Sequence, residues 1–363
     1  MNIEQLTRQV QHNCDISDAL HAGIYSVCGL ALRLRDLYKW HQGLHPWEEH
    51  AADAVLAWIG QREELWESLA DQPYQEITID ERSFEPFDSQ AINALLTPQG
   101  YFYGSGYAHS LKPTFFLARI KLCQNIDGRT VWRLGRELAR DLLTLPAFTQ
   151  DDQVVLRTAA ARMFLWDQID YLPNSGRAAL AYALAACCHL PVCDKNGIRR
   201  HLDTILNIQQ TTYIRHELSE LDEAVFERAT WRQMLADFPH TAVELLIRTL
   251  KDVLADTGPQ GPLPYYCARR DKAGIGFYMA FSGGLVPLLF GELKSGFEAF
   301  IKSDNWSEIE QAAKVVHNKA STYTREVMDL YSSGRQKQDL SWSQTAIEET
   351  LYQRGVPRRN SQQ

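Results

Sequence analysis

The sequence lacks the common catalytic and nucleotide-binding signatures that local spacing reveals. It contains no Walker loop, no G-x-S-x-G nucleophile elbow, no protein-kinase motif set and no EF-hand loop. It also lacks a basic balance, because Lys and Arg together number 37 against 45 for Asp and Glu, a net charge of −8. We therefore expect no nucleic-acid partner and no binding to anionic membranes.

Cysteine is present, but its pattern does not indicate a disulfide framework. The seven cysteines are an odd number, and residues 1–13 contain no apolar run that resembles a secretory signal. Reduced thiols are typical of the cytoplasm. We therefore expect a cytoplasmic protein with free cysteines.

Long apolar runs are also scarce. The segment without charge that approaches the length of a membrane span is residues 273–291, and Gly283 and Gly284 lie near its middle. Paired glycines and a proline weaken a helix. We expect this segment to be a buried helix that is interrupted at Gly283-Gly284, not a membrane span.

The hydrophobic periodicity predicts a mainly α-helical protein of two domains. Residues 1–190 are expected to form a helical domain with a small antiparallel β-sheet inserted at about 75–134, an α+β arrangement. Asp127-Gly128 predicts a tight hairpin within that sheet. Residues 195–355 are expected to form an all-α helical bundle, and residues 356–363 a disordered tail.

Reactive side chains recur at helical spacing near the start of the chain. One helix is predicted over residues 17–40, with Ser17 as its N-cap. At about 100° per residue, one stripe of this pattern carries Cys14, Asp18, His21, Tyr25 and Cys28.

This stripe permits two kinds of chemistry. Asp18 could orient His21 as a general base, with Cys14 or Cys28 as the nucleophile. The same side chains could instead ligate a metal. The competing interpretation is an ordinary solvated helix face, because the stripe continues through the charged residues Arg35, Asp36 and Lys39.

A Tyr- and Gly-rich segment, residues 100–112, is a second candidate. Glycines let backbone N–H groups approach a ligand, Lys112 could meet an anionic group, and His109 could add a catalytic imidazole. We expect this segment to cover the stripe and to bring His109 towards Asp18 and His21. The residues predicted to bind a small-molecule ligand are Tyr25, Gly104, Ser105, Gly106 and Lys112.

A third candidate lies in the second domain. The sequence His216-Glu217-Leu-Ser-Glu220 is a truncated form of the zinc-protease helix motif and lacks its second histidine. With Asp252 from another helix, these residues could hold a divalent metal, the ligand set being His216, Glu217, Glu220 and Asp252. The alternative is a surface ladder of charges, Glu244–Arg248–Asp252–Asp256, at i,i+4 spacing.

Two classes of function follow from these patterns. The first is a metal- or small-molecule-binding helical protein, in one version an enzyme that uses the Asp/His/Cys stripe, with a divalent metal as its cofactor. The second is a non-catalytic helical scaffold or regulator that binds a partner. A stripe buried beneath residues 100–112 favours the first class, and an open stripe favours the second.

Overall fold

The computed structural model describes residues 1–108, 111–190, 194–222 and 227–358. They form two compact units, Met1–Tyr171 and Leu172–Gln363. The chain is mostly helical, so the predicted mainly α class and the two-domain layout are confirmed. The expected tail, residues 356–363, falls outside the described residues from position 359 onward.

The first unit combines helices with two sheets. Its elements are α1 (Ile3–His21), α2 (Val27–His41), α3 (Ala52–Leu69), β1 (Ile77–Ile79), β2 (Arg82–Phe84), α4 (Ser89–Leu96), β3 (Tyr101–Tyr107), β4 (Pro113–Ile126), β5 (Arg129–Arg140), β6 (Ala147–Gln150), β7 (Gln153–Arg157) and α5 (Thr158–Asp170). A core of fully buried side chains, among them Val10, Ile92 and Phe115, joins α1 and α4 to the larger sheet.

The larger sheet exceeds the small antiparallel sheet that the sequence predicts. Its strand order is β3-β4-β5-β7-β6, and β5 pairs with β7 in parallel while the other neighbours are antiparallel. The hairpin at Asp127-Gly128 is present between β4 and β5. Strand β5 continues to Arg140, where the residue types favour helix, because pairing with a long neighbouring strand overrides local propensity.

The helix predicted over residues 17–40 is two helices. Asn2, not Ser17, caps the first one, since its side chain accepts hydrogen bonds from the N–H groups of Glu4 and Gln5. Helix α1 ends at His21, a short 3₁₀ turn follows, and Ser26 then caps α2 by accepting from the N–H of Gly29. The break changes the rotational phase between the two halves of the predicted stripe.

The second unit consists of helices in its described residues. They are α6 (Arg177–Cys188), α7 (Lys195–Asp222), α8 (Arg228–Asp237), α9 (Ala242–Thr257), α10 (Pro262–Arg269), α11 (Lys272–Phe281), α12 (Val286–Leu289), α13 (Gly291–Ser303), α14 (Trp306–Lys337) and α15 (Leu340–Gln353). Within the apolar segment 273–291, α11 stops before Gly283-Gly284, and Gly284 has a φ of +62° that suits glycine. Among the described helices, none combines the length and apolar character needed to cross a bilayer.

The two units divide before the position that the sequence suggests. The sequence places the boundary at residues 190–195, whereas the chain divides into the two units between Tyr171 and Leu172. The physical reason is packing of the intervening helix α6 against α11, where a Cβ on Gly276 would lie 2.9 Å from the Cβ of Ala183. Helix α6 therefore contributes to the second core.

Candidate functional site

The first half of the predicted stripe is buried inside the first unit. Asp18 has no exposed surface, and its two carboxylate oxygens accept from the N–H of Leu142 at 3.2 and 3.0 Å. Cys14 is equally buried, and its Sγ lies 3.1 Å from the carbonyl oxygen of Phe115. Burial, together with neighbouring carboxylates, raises the pKa of the Cys14 thiol well above its usual value, which disfavours a nucleophilic thiolate.

Lys112, at the end of the segment 100–112, contacts Asp18. Its Nζ lies 3.0 Å from Asp18 Oδ1 and 3.1 Å from Asp141 Oδ2, and it donates to Ser17 Oγ at 3.0 Å. We call these four residues the Lys112 cluster. All four are fully buried.

The Lys112 cluster has the character of a structural ion-pair network. Burial opposes the charge on Lys112, but Asp141 and Asp18 outweigh it and raise the pKa of the ammonium above its usual value. The ammonium is thus held charged and saturated by two carboxylates and a hydroxyl. Neither side chain reaches the surface. The catalytic role predicted for Asp18 and the ligand-binding role predicted for Lys112 are not tested by these contacts, and both stay predictions.

The other three residues of the predicted stripe lie on different elements and not along one helix face. His21 is partly buried at the end of α1, and burial, then Lys112, lowers the pKa of its imidazole. Tyr25 follows the 3₁₀ turn, and burial raises the pKa of its phenol to about 12. Cys28 is exposed on α2. The structure therefore separates Cys28 from Cys14 and Asp18, contrary to the single stripe that the sequence suggests.

Within strand β3, Gly104 is required by packing and Gly106 is not. A Cβ on Gly104 would lie 1.9 Å from the ring of Phe116, so this position accommodates an aromatic side chain and not a ligand. Ser105 N–H donates to the side-chain oxygen of Gln150 at 3.1 Å. A Cβ on Gly106 would meet no atom within 4 Å. His109 lies outside the described residues, so its predicted catalytic role stays a prediction.

The sequence suggests that the charged residues that continue the stripe face solvent, but the structure buries two of the three. Asp36 and Lys39 are buried, and Lys39 Nζ pairs with Glu49 Oε1 at 2.6 Å. Arg35 Nη2 lies 3.3 Å from Asp36 Oδ1 and 2.8 Å from Asp167 Oδ1. The predicted face is wrong because the helix break places these residues against the rest of the first unit.

The raised pKa of Asp167 should make the free energy of unfolding depend on pH. Burial, followed by the nearby Asp36 carboxylate, raises the pKa of Asp167 to about 7. Between about pH 4 and pH 7, the folded state therefore retains a proton that the unfolded chain has released, and stability falls as pH rises, by about 1 kcal/mol per pH unit. We expect the Asp167→Asn variant to lose the contribution of Asp167 to this slope in urea unfolding at pH 4.5 to 7.5. An unchanged slope would contradict the assignment.

The second unit contains a cluster built from two helices. His216 and Glu220 lie one turn apart on α7, and Asp252 and Asp256 lie one turn apart on α9. One ligand atom each from His216, Glu220 and Asp252 fall within 4.8 Å of one another. We call these three residues, together with Asp256, the His216 cluster.

The two nitrogens of His216 have different partners. Nδ1 lies 2.8 Å from Asp256 Oδ1, and the hydroxyl of Tyr278 donates to Asp256 Oδ2 at 2.9 Å. Nε2 lies 3.3 Å from Glu220 Oε1 and 3.9 Å from Asp252 Oδ1. Lys251 pairs with the other oxygen of Glu220, Oε2. The side chain of Asp252 is 54% exposed, so solvent reaches this cluster.

The titratable groups in and around this cluster have pKa values shifted in different directions. Burial opposes charge on His216, but Asp256 and Glu220 outweigh it and hold the pKa of the imidazole well above its usual value. Burial also opposes charge on Glu220, yet His216 and Lys251 lower the pKa of its carboxyl to about 2. Burial, with help from Glu220, raises the pKa of Glu217 to about 8.

The charge ladder predicted on α9 forms only at its first rung. Arg248 Nε contacts Glu244 Oε1 at 3.0 Å, whereas Asp252 and Asp256 face His216. Glu217 is not one of the three residues whose ligand atoms converge. Sequence reasoning assigned Asp256 to the ladder and missed Tyr278 and Lys251, because their roles depend on how three helices are placed and not on local spacing.

Family comparison is consistent with the two-unit architecture. Residues 5–157 match the model of the N-terminal domain of a family of unknown function, DUF6866, and residues 162–350 match the model of its C-terminal domain. No curated protein and no solved structure matches the chain. The two matches cover most of both units, and the chain therefore belongs to the DUF6866 family.

Proposed function

We propose that this protein binds a divalent first-row transition metal at the His216 cluster. The ligands are His216 Nε2, Glu220 Oε1 and an oxygen of Asp252. Metal bonds to such atoms are about 2.0–2.2 Å long, so the three atoms, now within 4.8 Å, need only a small contraction to meet one ion. An imidazole beside two carboxylates favours zinc, manganese or a similar ion over magnesium or calcium.

The observation that carries the proposal is the hydrogen bond on the far side of the imidazole. Metal-binding histidines almost always donate their second ring N–H to a carboxylate or carbonyl, which fixes the ring and the tautomer. Asp256 accepts from Nδ1, and Tyr278 holds Asp256 in turn. This chain of contacts directs Nε2 towards Glu220 and Asp252.

Charge balance supports the same assignment. With His216 neutral, the carboxylates of Glu220, Asp252 and Asp256 and the ammonium of Lys251 leave two negative charges. A divalent cation neutralises them. Lys251 binds Glu220 through Oε2, so Oε1 is left for the metal.

Three protein ligands leave a coordination position for water or a substrate, as in catalytic zinc sites. A metal there would lower the pKa of a bound water and polarise a carbonyl or phosphoryl oxygen.

We place this activity in the cytoplasm, because the cysteines described by the structure are all free thiols. A non-catalytic scaffold is the alternative that a negative metal-binding result would favour.

Metal titration of the full-length, untagged protein tests the proposal. After removal of bound ions, we expect one Zn²⁺ or Mn²⁺ per chain by calorimetry, and weaker binding of Mg²⁺ and Ca²⁺. His216→Ala and Glu220→Gln should each lower the affinity about 100-fold or more.

His201→Ala is the matched control, since His201 is another partly buried histidine of α7 and its Nδ1 contacts the carbonyl of Gly197. It should bind metal as the wild type does. Equal affinities of the His216→Ala variant and the wild type, or a wild type that binds no metal, would overturn the proposal and identify the cluster as a protonated ion-pair network.

A further inference from the structure

The end of helix α6 carries two adjacent thiols that contact each other. Cys187 and Cys188 are its last two residues, and their Sγ atoms are 3.0 Å apart. Both side chains are partly exposed, so a small reagent can reach them. His189 follows in the left-handed conformation and ends the helix. The pair is therefore placed at an accessible helix terminus.

We propose that Cys187 and Cys188 form a chelating dithiol site for a trivalent arsenical or a similar thiophilic oxide. Two sulfurs can bond to one atom only if they lie within about twice the length of the bond, roughly 4.6 Å for a bond of ~2.3 Å to a metal. The observed separation meets this condition without movement of the backbone.

A bridging atom suits this pair better than a direct disulfide does. Adjacent Cα atoms are about 3.8 Å apart, and ordinary disulfides join Cα atoms about 4.4–6.8 Å apart. A disulfide would therefore strain the last turn of α6. Inserting one atom between the two sulfurs enlarges the ring and relieves that constraint.

The raised pKa of Cys187 supports the ligand class that the sulfur–sulfur distance allows. Burial, with the neighbouring Cys188 sulfur, raises the pKa of the Cys187 thiol. A bare metal cation would have to displace the proton of the Cys187 thiol into solvent. An arsenic(III) oxide takes up two neutral thiols, because two As–S bonds replace the As–O bonds and the oxygen leaves with both protons as one water. No electrons are transferred in this condensation.

Phenylarsine oxide provides the test on the full-length protein. We expect one phenylarsenic adduct per chain by intact mass spectrometry, stable to excess 2-mercaptoethanol and removed by 2,3-dimercaptopropanol. Cys187→Ser and Cys188→Ser should each weaken retention about 100-fold or more, because the second As–S bond is then lost and with it the gain from intramolecular closure.

Two controls separate this pair from the other thiols. A Cys28→Ser/Cys123→Ser variant lacks the two exposed cysteines of the first unit and should retain the adduct. Cys193→Ser should also retain it; Cys193 lies outside the described residues and is near in sequence. Retention of the stable adduct by either folded serine variant, or its loss with either control, would overturn the proposal. Since two independent serine variants are tested, misfolding of one leaves the outcome decided by the other.

Discussion

Replacing Lys112 by methionine is expected to lower the free energy of unfolding by about 3–5 kcal/mol, because it leaves buried carboxylates without their counter-ion. Lys112 contacts both Asp18 and Asp141, and all three side chains have no exposed surface. Methionine matches the length of the lysine stem, so most of the loss should come from charge and not from a cavity. Urea unfolding of the full chain, followed by tryptophan fluorescence, measures it.

The comparison with an exposed lysine makes this result interpretable. Lys121→Met, on the exposed part of β4, should change the stability by less than about 0.5 kcal/mol. Combining Lys112→Met with Asp18→Asn should recover part of the loss, since the amide oxygen can still accept from Leu142 N–H while a buried charge is removed. Equal stabilities of the Lys112→Met and Lys121→Met variants would show that the ion pairs are dispensable.

The same cluster shows how far sequence reasoning reaches. The sequence predicts that the segment 100–112 covers the stripe but assigns Lys112 to an anionic ligand, whereas the structure pairs Lys112 with Asp18. The third member, Asp141, was not foreseen. It follows strand β5, which the sequence pattern assigns to a helix in its last residues, so no local signal places it beside Lys112.

The break between α1 and α2 explains why the sequence misassigns which residues of the first unit are buried and which are exposed. The apolar and polar residues around His21 fit one continuous helix in sequence, and Ser26 gives the only local sign of a second N-cap. The break leaves Val27 87% exposed, and it buries Lys39, which the solvated-face interpretation places in solvent. Periodicity specifies helices well, but one missed cap reverses the assignment of faces beyond it.

In the second unit, helical spacing indicates three of the four residues of the His216 cluster. His216, Glu220 and Asp252 were recognised because i,i+4 spacing brings side chains together within one helix or marks a repeated charge. Asp256 had two compatible partners in the sequence, Arg248 on its own helix and His216 on another. Only the packing of α7 against α9 decides between them.

Loss of Asp256 should weaken metal binding while leaving all three ligands in place. Asp256 acts through His216 as a positioning residue, since its Oδ1 lies 2.8 Å from Nδ1. We expect Asp256→Ala to reduce Zn²⁺ affinity about 10–100-fold, the usual effect of removing such a partner. Asp256→Asn keeps an acceptor for Nδ1–H without its charge, so its loss should be smaller.

The chain offers a matched control for this effect. Asp237 accepts a hydrogen bond from the hydroxyl of Tyr331 at 2.6 Å, as Asp256 does from Tyr278, but it is not part of the His216 cluster. Asp237→Ala should lower the stability of the metal-free protein with little change in Zn²⁺ affinity. Tyr278→Phe, which frees Asp256 from its hydroxyl partner, should lower the affinity less than Asp256→Ala.

Because bound metal raises stability according to its affinity and concentration, the Zn²⁺-induced increase in melting temperature should shrink in the Asp256 variants and persist in Asp237→Ala. Equal shifts in Asp256→Ala and Asp237→Ala would mean that Asp256 stabilises the fold without positioning the imidazole.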